Sequence, residues 1–176
     1  MKLIGLSGTN GSGKDTIGQL LQNKFGFLFV SVSDMLRLEA EKRGLSTTRE
    51  VLRDISAVEY YEQQGGDNTY KGLAIASLRN PGENDRVHEL GGQVIWIDAD
   101  PHVRYDRLKG RMRADDPQTF EEFIAHEQAE LEHSGDKATL SMQAVKESAD
   151  MIFENDHNDV DLLQQRIKAE MLTKSI

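Results

Sequence analysis

The 176-residue chain predicts an α/β fold with a mainly parallel sheet. Three observations carry that expectation. Short apolar runs alternate with helix-period stretches along the whole length, with no internal repeat and no low-complexity segment. The run Val94-Ile95-Trp96-Ile97 is apolar without interruption, as suits a strand covered on both faces. A glycine-rich turn from Gly8 to Gly13 joins the first apolar run to the first helical pattern, and only glycine bends a backbone that tightly at low steric cost.

The first strand is expected over residues 2–7 and the first helix over residues 14–24, with Ile17, Leu20 and Leu21 facing the sheet. Gly26 breaks that helix, and residues 27–32 form a second strand. Ser33-Asp34 caps a helix carrying Met35, Leu36 and Leu38. Thr47 or Thr48 caps the next, which runs through Val51, Leu52, Ile55 and Val58 to about Gln64. Gly65-Gly66 is a break, and a short helix over residues 67–71 leads into strand three at residues 73–77. Arg79-Asn80-Pro81-Gly82 reads as a turn before a short helix over residues 83–90. Strand four covers residues 94–99, with Trp96 in the core, and Pro101 sits in the first turn of the helix that follows. Phe120 opens a further helix with Phe123, Ile124 and Leu131. Residues 142–148 are helical, residues 150–155 form the last strand, and Val160, Leu162, Leu163 and Ile167 mark a closing helix.

The glycine-rich turn carries the chemistry. Gly8, Gly13 and Lys14 fit the spacing G-x-x-x-x-G-K of a phosphate-binding loop, with Asn10, Gly11 and Ser12 inside it. Backbone N–H groups curl inward there, and the helix N-terminus adds partial positive charge. Lys14 is placed to reach the β- and γ-phosphates of a nucleoside triphosphate. The motif expects a hydroxyl residue after the lysine as a magnesium ligand, but Asp15 stands there and Thr16 follows. Thr16 can supply the hydroxyl. Asp15 either holds a magnesium-bound water or serves as a favourable charge in the first helical turn.

Composition narrows the classes. The chain has no cysteine, which removes disulfides, thiolate metal sites and a cysteine nucleophile. A formal net charge of −9 argues against an extended nucleic-acid surface. It makes the basic cluster Arg104, Arg107, Arg111 and Arg113 informative, because mobile arginines neutralise charge on a transferring phosphoryl group. The start of the chain reads as a strand rather than a signal peptide, and no apolar run spans a bilayer, so a cytoplasmic protein without membrane contact is expected. His126 and His133, with His88, His102 and His157, form no metal-ligand constellation and read as solvated. The sequence carries no signal for oligomeric state.

The motifs resemble those of nucleoside and deoxynucleoside monophosphate kinases. Gly-Lys-Asp-Thr at 13–16 is similar to the loop of some phage deoxynucleoside monophosphate kinases, and adenylate kinases likewise carry a non-hydroxyl residue followed by Thr. Asp34-Met35-Leu36-Arg37 resembles the adenylate kinase segment whose arginine grips the acceptor phosphate, which implies that role for Arg37. Leu78-Arg79 falls where a related archaeal kinase-like group has Asp-Gly-Ile-Arg, which implies a second acceptor ligand in Arg79. The magnesium-ordering Asp of that pattern falls on Ala76, which cannot bind metal. Arg107 and Arg111 match the lid-entry arginines that stack on adenine and approach its phosphates. The stretch Ala149-Asp150 to Asn155 is similar to the close of many nucleotide and dephospho-coenzyme A kinases, which implies that Asn155 to His157 touch adenine through their backbone.

The resemblance implies one three-layer α/β/α P-loop domain over residues 1–176, with five parallel strands in the order 2-3-1-4-5. An acceptor flap is expected at about residues 34–70 and a short lid at about 107–135. Ligands are expected at the carboxyl ends of the strands. The expected activity is transfer of a phosphoryl group from ATP, with Mg²⁺, to a nucleotide or related small phosphate. A dephospho-coenzyme A kinase-like enzyme with Asp34 as base, and a nucleotide-binding regulator without efficient transfer, stand as alternatives.

Overall fold

The computed structural model describes residues 1–32, 57–111, 119–132 and 141–173. Among these, β1 (Leu3–Gly8) leads into α1 (Lys14–Phe25) and β2 (Phe27–Ser31). Next come α2 (Ala57–Gln63), a 3₁₀ turn (Gly66–Asn68) and β3 (Gly72–Leu78). Then follow α3 (Pro81–Glu89), β4 (Gln93–Asp98), α4 (Pro101–Arg111) and α5 (Phe120–Glu132). The chain closes with α6 (Met142–Glu147), β5 (Met151–Glu154) and α7 (Val160–Arg166), which a π turn extends over Ile167–Leu172.

All five strands are parallel and lie in the order β2-β3-β1-β4-β5, as expected. Parallel neighbours need crossovers, and the helices supply them on both faces. Successive strand side chains alternate between two cores. Ile4, Leu6, Ala74, Ala76, Ile95, Ile97 and Phe153 face α1 and α7, where Ile17, Leu21, Leu163 and Ile167 meet them. Leu3, Leu73, Ile75, Leu78 and Val94 face the opposite way, against Val87 of α3 and Tyr61 of α2. Each fully buried aliphatic side chain contributes about 1.5–3 kcal/mol. Trp96 is fully buried, as expected, against Met142 and Val145 of α6. Among the described residues no helix is long and apolar enough to cross a membrane.

β1 lies between β3 and β4, so the chain leaves it to one side and returns to the other. A crevice opens above its carboxyl end at such a switch point. Gly8 ends β1 there.

Two elements differ from the sequence expectation in a way that bears on this crevice. Asn80-Pro81-Gly82 is not a free turn but the start of α3. Asn80 Oδ1 accepts from Gly82 N at 2.7 Å, and the Glu83 carboxylate accepts from Asn80 N at 3.2 Å and from Arg79 N at 2.6 Å. This capping box satisfies amides that the helix leaves unpaired, and Pro81 is suited to the first position. Turn residues and cap residues are the same residues, which is why the sequence misplaced the boundary. Secondly, the pairing of β1 with β3 slips after Leu6: Leu6 faces Ala76, but Ser7 faces Leu78. Ser77 bulges out with φ 71°, a left-handed conformation that a side chain disfavours, and Ser7 Oγ donates to Leu78 O at 2.6 Å beside it.

Candidate functional site

The glycine-rich turn folds as the spacing requires. Gly8, Gly11 and Gly13 take φ of 135°, 77° and 94°, values that L side chains rarely adopt. Space also excludes side chains: a Cβ on Gly8 would collide with the Ile97 carbonyl oxygen, and one on Gly11 would lie 2.6 Å from Arg104 O. Gly13 is the N-cap of α1 and offers no side chain to its first-turn amides. Those amides and the helix dipole make the crevice a place for an anion.

Lys14 Nζ donates to Gly8 O at 2.8 Å and Thr9 O at 2.6 Å, so the ammonium closes the ring of the loop from within. Ser12 is buried, and its hydroxyl donates to Thr9 O at 2.9 Å, which turns it toward the loop itself. The Thr9 hydroxyl is buried and has no hydrogen-bond partner among the described residues. A buried hydroxyl without a partner inside a phosphate-type loop is an unused hydrogen-bonding group, and the sequence reading had not singled it out. Asp15 and Thr16 are exposed in the first turn of α1, one and two residues past the lysine.

The loop is held on both flanks. On the β3 side, Arg79 Nη2 donates to Asn10 Oδ1 at 3.4 Å, so the predicted acceptor arginine does reach the loop. On the β4–β5 side, Asn155 Nδ2 donates to Ser12 O at 2.8 Å. Arg107 donates to Asn155 O at 2.8 Å, His157 O at 3.1 Å, Asn158 Oδ1 at 3.0 Å and Gly11 O at 3.4 Å. Its guanidinium is engaged with the loop after β5 and is not a free lid arginine. Partial burial lowers the Arg107 pKa and the Asp156 carboxylate opposes that shift; a guanidinium stays cationic regardless.

Arg104 corrects the reading of the basic cluster. Its side chain is buried, donates from Nε to Ala99 O at 2.7 Å, and forms a two-pronged pair with the Glu127 carboxylate of α5 through Nη1 and through Nη2 at 3.0 Å. Phe123 lies against the guanidinium, 5.3 Å from ring centroid to Cζ. The arginine therefore fastens α5 to the end of β4. Leu108, four residues on, is buried too, so both lie on the inward face of α4. Asp98 completes the polar knot, with Lys146 Nζ at 3.2 Å and Trp96 Nε1 at 3.3 Å. Two histidines read as solvated have partners: His102 stacks on Phe120 at 4.1 Å between centroids, and His88 Nε2 meets Asp150 Oδ2 at 2.9 Å.

The structure thus gathers Gly8, Asn10, Gly11, Ser12, Gly13, Lys14, Arg79, Arg107 and Asn155 around one crevice. Arg37, Asp34 and the side chain of Arg111 lie outside the described residues. So do residues 34–56 of the expected flap and residues 112–118 and 133–135 of the expected lid.

A family described as an AAA domain matches residues 4–131. A UPF0200 protein of Pyrobaculum aerophilum is 30% identical over 98% of this chain and 98% of its own length. One of Pyrococcus abyssi is 32% identical over 73% of this chain and 78% of its own. Among solved structures, shikimate kinase from Bacteroides thetaiotaomicron superposes with a TM-score of 0.59 at 17% identity, covering 97% of this chain and 98% of that one. A sugar kinase from Janibacter superposes with a TM-score of 0.57 at 17% identity, covering 99% and 96%. At these identities the two superpositions speak for the P-loop kinase-like fold alone.

Proposed function

The chain belongs to the AAA domain family, among its UPF0200 relatives, and from that premise we propose an ATP- and magnesium-dependent phosphotransferase. Its acceptor is a nucleoside or deoxynucleoside monophosphate, or a related small phosphate. The observation that carries the reading is the phosphate loop, with Lys14 at its centre and Arg79 on its rim.

The fit to a nucleoside triphosphate rests on the uncapped first turn of α1 and on the unpaired Thr9 hydroxyl. Lys14 and the loop amides hold the donor phosphates. Thr16 and Asp15 would hold magnesium, since both offer oxygen at the exposed start of α1, the ligand type that this hard cation takes. The ion would supply charge neutralisation on the phosphates. Arg79, with Arg37, holds the acceptor phosphate by charge-assisted bonds. Arg111 closes over the donor. No general base is required, because an acceptor phosphate is already ionised and positioning does most of the work.

One observation favours a second reading, a nucleotide-binding regulator without efficient transfer. Ala76 lies two residues before the end of β3, fully buried in the core that also holds Ile4, Leu6 and Ile17. A methyl there offers no carboxylate for ordering a metal.

Consumption of ATP with magnesium, measured against a panel of nucleoside monophosphates, deoxynucleotides and dephospho-coenzyme A, separates these readings. The transferase predicts acceptor-dependent turnover that falls about a hundredfold or more in Lys14→Ala. Tight ATP binding without such turnover supports the regulator. Absence of ATP binding overturns both.

A further inference from the structure

We propose that Asn155 is a positioning residue for the phosphate loop, and that it acts through the Ser12–Gly13 peptide rather than by touching the base of the donor nucleotide. The inference rests on the reading of that loop as a phosphate site. It replaces the expectation that residue 155 contacts adenine.

Asn155 is 4% exposed, and three of its polar groups are committed to the protein. Its backbone N donates to Asp98 O at 2.8 Å, at the end of β4. Its carbonyl accepts from Arg107 Nη2 at 2.8 Å, and its side-chain Nδ2 donates to Ser12 O at 2.8 Å. The residue is a rigid post fixed to the sheet, with its amide pressed against the loop. The approach is close: a Cβ on Gly13 would lie 2.5 Å from that Nδ2. Glycine at 13 is therefore demanded by this contact as well as by its backbone conformation.

The consequence follows from peptide geometry. In a trans peptide the C=O and the next N–H point in opposite directions. Holding Ser12 O out toward Asn155 aims the Gly13 N–H the other way, into the ring where Lys14 sits. Arg107 contacts Gly11 O at 3.4 Å from the same side, and the Ser12 N–H that follows is taken up by Thr9 O at 3.4 Å, so the Gly13 N–H is the amide that the Asn155 contact sets. Pinning the Ser12 carbonyl from outside sets the inward Gly13 amide before any anion arrives. A preorganised donor set costs no reorganisation on binding.

An anion without a base discriminates between the two roles. Titration calorimetry with magnesium tripolyphosphate and with MgATP would be run on the wild type, Asn155→Leu and Asn155→Gln. If the residue acts through the loop, Asn155→Leu weakens both ligands by the same factor, about tenfold for one lost hydrogen bond. Asn155→Gln, which keeps the donor, recovers part of the loss for both. A loss for ATP with tripolyphosphate unchanged overturns the proposal in favour of a base contact. Unchanged affinity for both, even with a lowered melting temperature, overturns it in favour of a purely structural role. Should Asn155→Leu not fold, Asn155→Ser takes its place with the same expectations. A wild type that binds neither ligand overturns the phosphate-site reading itself, whereas a wild type that binds both and ignores residue 155 overturns only this inference.

Discussion

The two flanks of the phosphate loop are built differently. Toward β4 and β5 the loop meets a fixed bracket. Asn155 and Arg107 hold the carbonyls of Ser12 and Gly11, and behind them the buried Arg104–Glu127 pair joins α4 to α5. Toward β3 it meets Arg79, whose own backbone N–H belongs to the capping box of α3 and which follows the left-handed bulge at Ser77 by two residues. One flank is stabilised by interlocking buried polar groups. The other combines a helix cap with local backbone strain, a feature that persists only where surrounding structure enforces it.

The largest test of this contrast removes the pair behind the bracket. Glu127→Ala leaves the Arg104 charge buried without its carboxylate and is expected to cost about 3–5 kcal/mol in urea unfolding. A cost under about 1 kcal/mol, the range of an exposed pair, would erase the distinction between the flanks. Next in size is Arg79→Ala. It is expected to raise the KM for the phosphate acceptor about ten- to a hundredfold, the worth of a charge-assisted bond, while the KM for ATP moves little. Equal changes in both would place Arg79 on the donor instead. Asn80→Ala removes the cap of α3, and a loss of about 1 kcal/mol is expected in thermal unfolding. The smallest effect runs the other way. Ser77→Gly relieves the positive φ and is expected to raise stability by about 0.5 kcal/mol, the strain released being partly offset by the entropy that glycine loses. A destabilised Ser77→Gly would show that side-chain contacts of Ser77, not strain, dominate that flank.

Much of this arrangement was readable in one dimension. Gly8, Gly13 and Lys14 announced the loop because each is needed for a local reason: backbone angles that only glycine adopts easily, and a cation within one helical turn of them. Arg79 lies beside the loop because it follows the last residues of β3 directly, so the strand's end carries it to the crevice. Arg104 was read only as one member of the basic cluster with Arg107, Arg111 and Arg113. Its partner is Glu127, 23 residues away on another helix, and charge clustering does not reveal which arginine faces inward. Asn155 was expected beside the nucleotide, and its side chain meets the phosphate loop. Its partner Ser12 is 143 residues distant, and whether an asparagine side chain or its backbone meets the site depends on how closely two loops pass.

The sequence by itself therefore determined the alternation of strands and helices, the two-sided burial of Val94 to Ile97, and the conformation of the glycine-rich turn. Backbone angles and burial periodicity are written in windows of a few residues. Only the tertiary structure decided that Arg104 turns inward, that Arg107 is spent on the loop after β5, that Ser77 bulges against β1, and that Asn155 orients the Ser12–Gly13 peptide. Each of those depends on which hydrogen-bond partner lies within about 3 Å once the sheet has closed, and a polar side chain carries no record of that partner in its neighbours along the chain.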